Sequence, residues 1–91
     1  MSSTGAGVPS PVRHAVAVAA RAAEVDPEQV ELVGYEAVTW PNAALGAPQP
    51  GHLYAQVLTP GYRVHLRVAG RPVTYHTDEG RRAVLAPTRV A

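Results

Sequence analysis

The side chains able to do chemistry are few, and most sit late in the chain. Arg63, His65 and Arg67 alternate along one stretch, and His76 and Asp78 follow on the next. A two-residue turn at Ala69-Gly70 would pair Val68 with Arg71, Leu66 with Val73 and Val64 with Tyr75. Arg63, His65, Arg67 and His76 then share one face of a hairpin. Guanidinium forks suit carboxylate or phosphate, so these four are candidate anion-binding residues. His65 and His76 would be diagonal neighbours, a spacing a metal can bridge. The flanking arginines repel a dication, and no metal site is expected. No aromatic residue interleaves the arginine stripe, so stacking of single-stranded nucleic acid is not expected either.

Other chemistries lack their residues. The chain has no Cys and no Lys. That removes thiolate nucleophiles, thiolate metal sites, Schiff-base lysines and phosphate-cradling lysines. Ser2, Ser3 and Ser10 lie at the start, where nothing would hold a nucleophile rigid. Asp78-Glu79 reads as a solvated turn. Glu36 lies inside a strand; it faces solvent or, if inward, requires an arginine partner. No catalytic residue and no cofactor are expected, and the chain reads as a non-enzyme.

The elements that would position these groups follow from pattern. The net charge of +1 is too even for a polybasic surface, and no 18-residue apolar run exists. Residues 1–10 read as a flexible tail without the features of a secretory signal. Together with the missing cysteines this suggests a cytoplasmic protein. Residues 11–91 read as one domain. Ser10-Pro11 resembles a helix start, and Val12, Val16, Ala19 and Ala23 recur on one face, predicting a helix over 11–24. Asp26 to Gln29 reads as one helical turn. Val30–Trp40 reads as a strand with a bulge near Gly34 that moves the inward face from Val30/Leu32 to Tyr35/Ala37. Leu53–Leu58 reads as another strand, closed by a Pro60-Gly61 turn. Tyr62–Ala69 and Val73–Thr77 form the hairpin, and Arg82–Ala86 a last short strand. The expected fold is α+β: one N-terminal helix packed on an antiparallel sheet of about four strands. With no Phe or Ile, Trp40 and the four tyrosines are expected to supply much of the buried area.

Pro41–His52 is a long loop for so small a domain, and such loops are often functional. Leu45 could pin it to the body. Trp40 is expected to anchor it rather than stand exposed, although tryptophan is also common at binding hot spots.

One resemblance covers about residues 12–86. Thr39-Trp40-Pro41-Asn42, Leu45-Gly46, Pro48-Gln49-Pro50-Gly51, Gln56, Pro60-Gly61-Tyr62-Arg63 and Tyr75-His76-Thr77-Asp78 resemble a family of small uncharacterised bacterial domains. Its pattern runs TWPDGSLGCPxPG, then TQ, PGYR and YHTD. Here Asn42 replaces Asp, Ala43 replaces Gly, Ala47 replaces Cys and Ala55 replaces Thr, so any role of that Asp or Cys is altered. The resemblance implies no known activity. The order helix, strand, Gly-turn hairpin also looks like PepSY domains, which implies protease regulation. Gln56–Gly61 is similar to the inhibitory loop of cystatins.

Three functions follow in order. The first is an interaction or regulatory module, with another protein as partner. Its contact residues are drawn from Trp40, Asn42, Leu45, Gln56, Pro60 and Gly61 on the 41–52 loop and the turn. The second is a small anion- or ligand-binding domain using Arg63, His65, Arg67 and His76. The third, an enzyme built on His76 with Asp78 or Glu36, needs the most that is missing.

Overall fold

The computed structural model describes residues 7–47, 51 and 53–86. Residues 1–6 of the expected tail, and Pro48, Gln49, Pro50 and His52 of the long loop, lie outside the described residues. Helix α1 (Ser10–Ala23) leads into a single 3-10 turn (Pro27–Gln29) and then a four-stranded sheet. The strands are β1 (Val30–Trp40), β2 (Thr59–Val68), β3 (Arg71–Asp78) and β4 (Ala83–Leu85). They lie in the order β1-β2-β3-β4, every pair antiparallel. The fold is the expected α+β: one helix against an open antiparallel sheet.

The helix begins one residue before Pro11. Pro9, not Ser10, takes the capping position, and its carbonyl accepts from the Val12 and Arg13 N–H groups at 3.0 and 3.1 Å. The buried stripe is Val12, Ala15, Ala19 and Ala20. Val16 is only half-buried and Ala23 is exposed, a rotation of the expected face by part of a turn. Alanines allow this, since a short side chain costs little in either setting. The helix ends where Glu24 turns left-handed (φ 59°) and the Val25 N–H reaches back to the Ala20 carbonyl at 3.0 Å.

The hairpin register is the expected one: Val68 pairs with Arg71, Leu66 with Val73, Val64 with Tyr75, His65 with Thr74 and Arg63 with His76. Ala69 (φ 51°) and Gly70 (φ 79°) both turn left-handed, as a two-residue hairpin loop requires. Slipping this register by one would bury the arginines. The β1 bulge falls between Leu32 and Gly34. It brings Tyr35 opposite Val64 and Ala37 opposite Tyr62, moving the inward face as expected. Both residues are nevertheless exposed, because β1 is an edge strand and the helix lies mainly over its neighbours. Tyr35 instead packs edge-on against Tyr62, with ring centroids 6.0 Å apart.

Two expectations fail together. Leu53–Leu58 is not a strand, and Pro60-Gly61 is not a turn. Strand β2 starts at Thr59 and runs straight through Pro60 and Gly61. Both sides of β2 are taken by β1 and β3, and β1 stops at Trp40 opposite Thr59. Residues before Thr59 therefore have no strand to pair with. Pro60 is accommodated because β3 ends opposite Gly61, so its missing N–H breaks no ladder there.

Val12, Ala15, Ala19, Ala20, Val30, Val64, Leu66, Val68 and Tyr75 form the core between helix and sheet. Of the tyrosines only Tyr75 is deeply buried. Trp40 is buried as well, but on the opposite face of the sheet.

Candidate interaction site: a clamped loop and an exposed segment

The face away from the helix was expected to be wet. Its hairpin half is not. Trp40 closes β1 and is 4% exposed. Its Nε1–H donates to the Thr77 carbonyl on β3 at 2.8 Å. Reaching across β2 requires an empty position between them, and Gly61 supplies it. A Cβ built on Gly61 would stand 1.8 Å from the Thr77 carbonyl oxygen. The glycine thus leaves the space that the acceptor of the indole bond occupies.

His76 stacks on Trp40, with ring centroids 4.4 Å apart and a tilt of 30°. It is itself buried. Its Nδ1 lies 2.8 Å from the Leu45 carbonyl. A carbonyl only accepts, so Nδ1 carries the proton and donates. Leu45 is fully buried although its backbone is left-handed (φ 57°). That conformation costs a branched residue about 1–2 kcal/mol, which burial of its side chain offsets. Gly46 follows, also left-handed, and a Cβ there would press on Trp40 at 3.0 Å and His76 at 3.2 Å.

The remaining loop contacts are polar. Asn42 Oδ1 accepts from the Ala44 N–H at 2.9 Å, closing a tight turn. The Ala43 N–H donates to the Ala55 carbonyl at 3.0 Å, and an Arg82 guanidinium N–H donates to the Ala43 carbonyl at 2.6 Å. The loop is thereby tied to the segment before β2 and to the residue before β4. Leu45 pins the loop and Trp40 anchors it, as expected.

The arginine-histidine face divides. Arg63 sits 5.5 Å from the Trp40 ring centroid and donates to Glu36 at 2.6 Å. Arg67 donates to Glu31 at 3.2 Å. His65 remains half-exposed, 3.9 Å from Glu36 and 3.4 Å from the Thr74 hydroxyl. His76 lies under the loop, so the four candidate anion ligands do not share one open surface. Glu36 faces solvent with its arginine partner, and the Arg63 hydrogen bond holds its carboxyl below the usual range. No group of three potential metal ligands occurs among the described residues.

The expected contact residues divide too. Trp40, Leu45 and Gly61 are interior, and Asn42 holds the turn. Only Gln56 and Pro60 are exposed, with the Gln56 amide donating to the Tyr54 carbonyl. The residues that sequence reasoning missed are their neighbours. Leu53 is fully exposed, Leu58 is 74% exposed and Val57 is 57% exposed. Their apolar character reads as a strand; the missing signal is a partner strand, which pattern alone does not reveal.

The sequence model of one family, described as Domain of unknown function (DUF8738), matches residues 12–86. The chain belongs to that family. The match takes in the helix from Val12, all four strands, the clamped loop and the exposed segment. No match was found among curated proteins or solved structures.

Burial pushes the His76 pKa below its ordinary 6.5; the Leu45 hydrogen bond opposes this, and the charges of Arg63 and His65 reinforce it. The sign follows. Below about pH 6.5 the unfolded chain takes up a proton that the folded DUF8738 domain resists, so stability is full above that value and falls as pH drops through the window. Urea midpoints should decline from about pH 7.5 to 5.5, and His76→Gln should flatten that slope. Equal slopes in both proteins would assign the acid sensitivity elsewhere. Glu36 acts in a separate, more acidic window.

Proposed function

We propose that this DUF8738 domain is a non-catalytic interaction module that binds another protein through residues 53–58. The observation that carries this reading is the exposure of Leu53, Val57 and Leu58 on one short segment. The segment is tied to a loop held by buried Trp40 and Leu45. Large apolar side chains presented from a fixed support are what a partner's apolar pocket recognises. Gln56 and Pro60 border the same segment. Arg63 and Arg67 already hold carboxylates of the chain itself, which favours this reading over anion binding.

A protease is one partner class, suggested by the similarity of Gln56–Gly61 to an inhibitory loop. Thr59, Pro60 and Gly61 are paired within β2, so such a contact would rest on Gln56, Val57 and Leu58 alone. No described helix is long and apolar enough to cross a membrane, and the lack of cysteine accords with work in the cytoplasm.

A photo-crosslinking residue at position 58, with position 81 as control, tests the reading. It should give one dominant protein adduct, absent from the control. The adduct partner, purified, should bind the domain by calorimetry, and Leu58→Asp should weaken it by about thirtyfold, the scale of a hot-spot residue. Adducts indistinguishable from the control would remove the proposal.

A further inference from the structure

The helix side of the sheet carries a second feature, remote from the loop. A groove of about 430 Å³ opens between the C-terminal half of α1 and the outer part of β3. Its walls are methyl and branched apolar groups: Ala19, Ala22 and Ala23 on the helix, Val73 and Leu85 on the strands. Pocket volumes of this order hold small organic molecules. A wall of small residues is not a site by itself, but two polar groups lie in this one.

Tyr75 lines the groove with only 5% of its surface exposed. Burial alone raises its phenol pKa, with no hydrogen bond contributing. A phenol so deeply placed normally finds a partner. Among the described residues this one has none. Arg71 also lines the groove. It pairs with Val68, which puts it on the helix face of the sheet. Unlike Arg63 and Arg67 it forms no ion pair among the described residues. Among the described residues it is the only charged one of the lining.

The geometry points to a binding site for a small amphiphile: an apolar chain ending in a carboxylate. The chain lies along the alanine methyls and Val73. The carboxylate pairs with the Arg71 guanidinium, whose planar fork fits it. The Tyr75 hydroxyl supplies the second donor. A bare hydrocarbon would use neither the Tyr75 hydroxyl nor the exposed Arg71 guanidinium. An inorganic anion would leave the apolar walls wet.

Decanoate serves as the probe, titrated into the full chain and followed by methyl and amide NMR. Saturable shifts should concentrate at Ala22, Ala23, Val73 and Leu85. Arg71→Ala should weaken binding about tenfold, and Tyr75→Phe should weaken it by a smaller factor, with the fold retained in both. Decanol should bind about tenfold more weakly than decanoate. Equal binding of decanol, an unaffected Arg71→Ala variant, or shifts spread over the whole surface would overturn the site. So would cross-peaks from Thr88 or Val90 to the Ala22 methyl in the unliganded protein, because the groove would then be filled by the chain's own end.

Discussion

Gly61→Ala lowers the stability of the domain by more than about 3 kcal/mol. The residue sits in the central strand β2, between Val38 on β1 and Asp78 on β3. A methyl there meets the Thr77 carbonyl oxygen at 1.8 Å and the Thr77 carbonyl carbon at 2.7 Å. Both are backbone atoms of a paired strand, so no side chain can swing away. Relief requires β3 to move off β2, or the Thr77 carbonyl to rotate out of its bond with Trp40. The first breaks the sheet, and the second strands a buried indole N–H. Backbone displacement and a lost buried hydrogen bond together exceed about 3 kcal/mol. A domain of this size has only about 5–14 kcal/mol in all. The expected result by circular dichroism is a melting midpoint at least about 12 °C below the parent's. Gly34→Ala is the control: a methyl there meets nothing within 4 Å, and the midpoint should stay near the parent's.

Trp40→Ala is the second large effect. It removes the largest side chain of the loop-side face, its bond to Thr77, the surface on which His76 stacks and the ring beneath Arg63. Truncating a buried tryptophan costs about 3–5 kcal/mol. The core between α1 and the sheet is a separate cluster that does not include Trp40. The variant should therefore retain its helix and sheet while the loop opens. Amide exchange should show the Ala43 and Ala47 N–H groups losing protection, whereas the amides of Val64 and Leu66 keep most of theirs. Leu45→Ala should reproduce the pattern at smaller amplitude. Uniform loss of protection across the domain would mean that the two faces fold as one unit.

Much of this architecture was legible in the residues. Strict alternation from Tyr62 to Val68, with a turn of the right length at Ala69-Gly70, fixes the hairpin register, because any slip buries an arginine. Gly34 between two apolar pairs marks the bulge. The helix shows in Pro11 at its start and in its periodic apolar residues, although the cap is Pro9 and not Ser10. Its exact face does not, since one alanine resembles another. The segment before β2 reads as a strand and is not one, for a definite reason. Leu53, Val57 and Leu58 have strand-like character, but strand formation depends on a partner with free hydrogen-bonding groups, and β1 ends at Trp40. The Pro60-Gly61 pair carries a strong turn signature. Its glycine answers instead to a non-local demand, the approach of a carbonyl and an indole from two other strands. Burial of His76 was hidden in the same way. The alternating pattern shows which face a residue takes, but not that a loop folds back over that face.

The loop is a folded clamp, closed by Trp40, Leu45 and His76, which fixes the exposed segment beside it. Trp40 is the chain's single tryptophan, so intrinsic fluorescence reports on the clamp alone. At neutral pH the emission should be blue-shifted from that of free indole in water, and acrylamide should quench it weakly. Emission at the free-indole position with full quenching, while circular dichroism shows an intact sheet, would mean that the loop is open and no clamp exists.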